Sequence, residues 1–117
     1  MFLTMTQVAV GGAIGSVLRY LLVAAVSAPL ANFMVNVLGS FAMGVLFVTL
    51  ASRTTLSPLL MTGVLGGFTT FSAFSLDALK LWENGQIPQA VLYVVASVIL
   101  SLVAVALGAA FARGAFA

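Results

Sequence analysis

Cysteine and histidine are absent from this 117-residue chain. Their absence removes a disulfide framework, thiolate and imidazole metal ligands, and any nucleophilic scheme that depends on a Ser-His or Cys-His pair. Charge is almost absent as well: Lys and Arg together number 4 and Asp and Glu 2, which makes 5% of the residues. A soluble globular domain carries about 25% charged residues, so this chain has too few to cover a water-facing surface. A net charge of +2 is also too small for a nucleic-acid footprint. The N-terminus lacks a basic segment followed by an apolar run and a small-residue cleavage site, and no removable signal peptide is expected.

What is present is hydrophobic length. Hydrophobic residues make up 63% of the chain, and charge is missing from residues 1–18, 20–52, 54–76 and 84–112, runs that end at Arg19, Arg53, Asp77 and Arg113. A bilayer span needs roughly 20 apolar residues. The pattern predicts an all-α integral membrane protein with one transmembrane domain over residues 1–117. Four spans are expected near 3–26, 31–51, 57–79 and 87–112, with turn signals at Ser27-Ala28-Pro29, from Ser52 to Pro58, and at Asn84-Gly85-Gln86-Ile87-Pro88.

Orientation is read from Lys and Arg near the span ends. With four spans one side holds Arg53 and Arg113, and the other holds Lys80 and Arg19 at the end of the first span. This balance fits either a topology set by other signals or a chain that inserts both ways and pairs as an antiparallel homodimer. Small residues recur at helical spacing, with Gly11, Gly15 and Arg19 on one face and Asn36, Ser40 and Gly44 on another, as close helix contact requires.

The least helix-like stretch is Gly66-Gly67-Phe68-Thr69-Thr70-Phe71-Ser72-Ala73-Phe74-Ser75, inside the third run. Irregular backbone at membrane depth survives only where protein buries it or it lines a water-filled cavity, and interrupted spans are a recurring way to build an ion site. Other polar groups lie at that depth. Arg19 is either an intramembrane functional residue or a side chain that snorkels to the interface. Asn36 offers two amide donors or an interhelical hydrogen bond. Tyr93, Ser97 and Ser101 place three hydroxyls in one stripe, although serines also bond the preceding turn. Phe71 and Phe74 serve as packing or direct positive ring edges toward an anion. No Asp or Glu lies in the first, second or fourth span, and Asp77 and Glu83 are expected at or beyond the end of the third. That weighs against a proton-coupled cation exporter and favours passage of an anion, which hydroxyls, an amide, aromatic edges and an arginine suit.

Three segments resemble, in order and spacing, the Fluc (CrcB) fluoride channels: Gly11-Gly12-Ala13-Ile14-Gly15-Ser16-Val17-Leu18-Arg19-Tyr20, Val35-Asn36-Val37-Leu38-Gly39-Ser40-Phe41, and Gly63 through Ser75. The resemblance covers essentially the whole chain, and its third segment is the specific one. It implies four helices per subunit with a broken third helix, a dual-topology antiparallel homodimer in membrane lipid, and two pathways for passive export of toxic fluoride. Residue by residue, Asn36 resembles the pore asparagine, and Phe71 and Phe74 the phenylalanines that line each pathway. Tyr93, Ser97 and Ser101 resemble the polar track of the last helix, Arg19 the vestibule arginine, and Thr70 a hydroxyl neighbour of the pathway. Gly66 and Thr69 fall where main-chain carbonyls of both subunits are implied to hold a structural sodium ion (Na+), and oxygen ligands suit that hard cation.

Three positions depart from the family pattern. Asn32, within Ala31-Asn32-Phe33, occupies the place of a threonine, Ala73 replaces a frequent threonine, and Asp77 stands where glutamate is common. The alternative reading is a small multidrug-resistance-type four-helix antiporter. It is disfavoured because the first helix has no glutamate.

Overall fold

A computed structural model describes residues 1–50 and 55–116. Arg53, and with it half of one side of the predicted charge balance, lies outside the described residues. Helix α1 covers Phe2–Val26 and α2 covers Leu30–Thr49. The third span opens with Pro58–Leu65, wound as a wide π-type helix, and passes into the single turn α3, Gly66–Phe68. Thr69 then takes an extended backbone (φ −79°, ψ 156°), and helix resumes as α4, Ser72–Glu83. The last helix, α5, is Ile87–Phe116. Four segments are long and apolar enough to cross a membrane: Phe2–Val26, Leu30–Thr49, Pro58–Glu83 and Ile87–Ala115. The four expected spans are therefore found, the third and fourth running on past their expected ends.

The connections show why the chain turns where it does. After α4 the Gly85 N–H donates to Trp82 O at 3.1 Å and the Gln86 N–H to Leu81 O at 2.9 Å. That paired closure needs a left-handed residue, and Gly85 supplies it with φ 79°. After α1, Ser27 closes the last turn through its N–H on Val23 O at 2.9 Å, and α2 starts just beyond Pro29.

Small residues set the packing. Helix α1 lies along Pro58–Leu65 and α3, while α2 lies mainly along α5. A Cβ on Gly15 would collide with Val64 O and come within 2.7 Å of Phe68 N, and one on Gly44 would collide with Val105 O and come within 2.8 Å of Ala109 N. Backbones approach this closely only where a side chain is missing, which is how membrane helices associate without a hydrophobic drive between them. The molecule measures 47 × 32 × 23 Å. Its few buried apolar residues include Ala31, Val35, Leu65 and Phe74, and its outside carries exposed Leu, Ile, Val and Phe.

Candidate anion site

The site is built where the third span loses its helical hydrogen bonds. In a continuous helix the Thr70 N–H would donate to the Gly66 carbonyl. It donates instead to Asn36 Oδ1 at 2.9 Å, and Asn36 Nδ2 in turn donates to Thr70 O at 3.0 Å. One side-chain amide on α2 thus replaces a missing turn by pairing with both backbone groups of a single residue. The Ala73 N–H goes to Thr70 Oγ1 at 3.2 Å, so the threonine hydroxyl takes one of the open donors at the start of α4. Among the described residues, the Gly66 and Thr69 carbonyls are left without a donor. Two free carbonyls three residues apart fit the chemistry of an oxygen-coordinated monovalent cation.

Beside this segment lies a cavity of about 430 Å³, lined by Asn36, Ser40, Gly66, Thr69, Thr70, Phe71, Phe74, Ser97, Val98 and Ser101. Eight of the ten residues singled out in the sequence thus meet at one place. Among the described residues, Ser97 Oγ and Ser101 Oγ are buried there with no hydrogen-bond partner. A buried hydroxyl left unpaired costs about 1–3 kcal/mol, so both hydroxyls call for an acceptor from the cavity. Phe71 is 77% exposed and Phe74 is buried, their ring centroids 5.5 Å apart and their planes tilted by 58°. In that arrangement both edges and faces are presented, and the edges carry the positive side of the ring quadrupole.

Arg19 and Tyr93 are placed elsewhere. Arg19 Nε donates to Gly67 O at 3.3 Å, at the contact of α1 with α3. Tyr93 is buried, its ring 5.2 Å from Phe74, and its hydroxyl donates to Asp77 Oδ2 at 3.2 Å. Asp77 itself requires a correction. It was expected at or beyond the end of the third span, but α4 continues to Glu83, and Asp77 is 7% exposed inside the bundle. Hydrophobicity marks where charge begins, not where the helix ends, and the donors that make this carboxylate tolerable come from elements distant in sequence. Asn32 Nδ2 supplies the second, at 2.7 Å from the same oxygen.

Two of the three departures from the family pattern, Asn32 and Asp77, therefore touch each other. Residue-by-residue reading flagged Asn32 only as a departure and did not give its partner, yet a signal was available: Asn32, Asn36 and Ser40 form an i, i+4, i+8 stripe on α2, matching Tyr93, Ser97 and Ser101 on α5. Both helices run in the same direction through the bundle, so the two stripes lie side by side.

Comparison with known proteins gives the family. The model described as "CrcB-like protein, Camphor Resistance (CrcB)" matches residues 6–109. The chain belongs to the CrcB family. The fluoride-specific ion channel FluC of Paracoccus denitrificans (strain Pd 1222) is 50% identical over 121 residues, covering 97% of this chain and 98% of that protein. The protein of the same name from Roseobacter denitrificans is 55% identical and covers 93% of this chain and 94% of its own length. That of Jannaschia sp. (strain CCS1) is 58% identical over 91 residues, 76% of this chain and 87% of the relative. This CrcB-family chain is a multi-pass membrane protein.

Proposed function

We propose that this chain is a fluoride-selective channel that lets the toxic anion leave the cell passively. The observation that carries the reading is the pair of buried, acceptor-less hydroxyls, Ser97 Oγ and Ser101 Oγ, on a cavity walled by Phe71 and Phe74 in a CrcB-family fold. A small, strongly hydrated anion needs close donors to replace its water, and neutral hydroxyls and ring edges provide them without a full charge that would trap it. The relatives named above are called fluoride-specific ion channels, which agrees in substrate. Asn36 and Thr70 shape the pathway, with Tyr93 at its end, and Arg19 draws anions toward it.

The functional unit is an antiparallel homodimer with two pathways, embedded in lipid against its exposed apolar side chains. Phe71 supports this reading: a ring 77% exposed beside a polar cavity is covered when a second subunit completes the wall. The break in the third helix supports a further part. Gly66 and Thr69 of each subunit would hold a structural sodium ion through their free carbonyls, and that ion would supply a fixed positive charge that ties the subunits and offsets the cost of a nearby anion. Buried Asp77 does not favour an exporter, because it does not line that cavity and takes neutral donors.

The test is efflux from liposomes that contain only the purified protein. Fluoride should leave rapidly while chloride stays, and replacing sodium by a large organic cation on both sides should lower fluoride flux or dimer stability. Equal rates for the two halides would remove the selectivity claim. Indifference to sodium after prolonged exchange would remove the cation.

A further inference from the structure

We infer that Arg19 is a positioning residue for the Gly66 and Thr69 carbonyls. Its Nε–H replaces the helical donor that the Gly67 carbonyl loses at the break, and so fixes the oxygen pair that would hold the cation. The inference rests on the cation reading above and gives Arg19 a part that its charge alone does not play.

In a continuous helix the Gly67 carbonyl would accept from the Phe71 N–H. It accepts instead from Arg19 Nε at 3.3 Å, a donor from inside α1. The same exchange occurs three residues on, where Asn36 Nδ2 donates to Thr70 O at 3.0 Å. Among the described residues, each free carbonyl is thus followed by a held one: Gly66 is free and Gly67 is held from α1, Thr69 is free and Thr70 is held from α2. Gly66 and Thr69 line the cavity and Gly67 does not. Gly67 lies against α1 instead, where a Cβ would come within 2.6 Å of Gly12 O. Gly12 and Arg19, two helical turns apart, grip it from one face of α1.

The grip matters because of what Gly67 is. The Gly66 and Gly67 carbonyls belong to peptide planes joined only through φ and ψ of Gly67, and glycine restricts those angles least. The α3 turn ends in extended Thr69, so little helical ladder remains to hold the planes. With its own carbonyl pinned, Gly67 cannot pivot, and the Gly66 oxygen keeps one direction. A positive group at the open carbonyl end of a helix is favourable in its own right. Nε is also the innermost nitrogen of the guanidinium, so the bond leaves the terminal nitrogens to draw anions. Substitution can therefore separate the two parts. Gln carries an N–H the same number of bonds from Cα as Nε, without charge. Lys keeps the charge but places its donor one bond further out, and Met fills the same length with neither.

The experiment follows thermal unfolding of the purified protein while sodium replaces a large organic cation at constant ionic strength, after prolonged exchange, and reads the sodium concentration of half-maximal stabilisation. Arg19→Met and Arg19→Lys should each raise it about tenfold, as the loss of a group that orients a metal ligand does, while Arg19→Gln stays within about threefold of the parent. Fluoride efflux from liposomes gives a second reading. At saturating sodium Arg19→Gln and Arg19→Met should carry equal flux, since both lack the charge, and at low sodium Arg19→Met should fall below Arg19→Gln. If Arg19→Met yields no folded protein, Arg19→Lys against Arg19→Gln decides by the same ordering. A half-point kept in Arg19→Lys and lost alike in the two neutral variants would assign the whole effect to charge and overturn the inference. Parental half-points in all three, or one equal shift in all three, would overturn it too. A parent that sodium does not stabilise would instead remove the cation reading on which it stands.

Discussion

At the scale of single residues, the site depends on what each polar atom is paired with. Asn36 is the clearest case, because its amide donates to Thr70 O and accepts from Thr70 N at the same time. Asn36→Asp keeps the acceptor, loses the donor and sets a carboxylate oxygen against a carbonyl beside the anion cavity. Fluoride efflux from liposomes should drop about tenfold or more, the equivalent of ~1.4 kcal/mol or more, with helical circular dichroism retained. Phe71→Ile should lower flux as well while leaving the subunit's fold intact, since that ring is 77% exposed in the subunit and packs little. Parental flux in both variants would return these residues to packing. Hydroxyl and amide stripes were legible because helical spacing is fixed, and so were the phenylalanines. The Asn36 to Thr70 pairing and the burial of Asp77 were not, because each depends on a partner 34 or 45 residues away in the chain.

At the scale of elements, the number of spans and where they begin followed from hydrophobic runs and turn residues, while the ends of the third and fourth did not, and Gly85 closed α4 as its position after Asn84 suggested. The π-type winding of Pro58–Leu65 had no such signal, since its apolar residues read as ordinary helix. Close packing was legible in Gly11 and Gly15, both buried against the third span. A matched pair of substitutions on α1 separates packing from helix propensity. Gly15→Ala drives a Cβ into Val64 O, whereas a Cβ on Gly12 meets nothing within 4 Å. Gly15→Ala should therefore destabilise the protein by about 1–3 kcal/mol, the usual cost of overpacking. Gly12→Ala should be neutral or slightly stabilising, by up to ~1 kcal/mol from propensity. Unfolding in a denaturing-detergent titration reads both, and equal effects would mean that α1 does not pack on the third span through this face.

At the scale of the whole molecule, the open question is how the chain sits in the membrane. Four spans place both termini on one side, together with Arg113 near the end of α5 and the connection that holds Arg53. The opposite side receives the end of α4, with Lys80 in its last turn, whereas Arg19, expected at the end of the first span, lies seven residues inside α1 against Gly67. Positive charge near span ends decides orientation, and a difference of about one charge is a weak bias, so both orientations should form. A chain that inserts both ways can meet an inverted copy of itself. In the antiparallel dimer proposed above, the irregular Thr69 to Phe71 segments of the two subunits would meet near the midplane, where each would cover the other's exposed Phe71. Topology reporters fused after Ala117 should accordingly give signal from both compartments. Adding two or three lysines to the connection between α4 and α5 should bias insertion toward one orientation and reduce fluoride resistance in cells, because one partner of each pair becomes scarce. Co-expressing a version with the lysines placed at the C-terminus should restore it. A one-sided reporter signal from the unmodified chain, or undiminished resistance from a fully biased one, would remove the antiparallel dimer and leave the pathway to be completed in some other way.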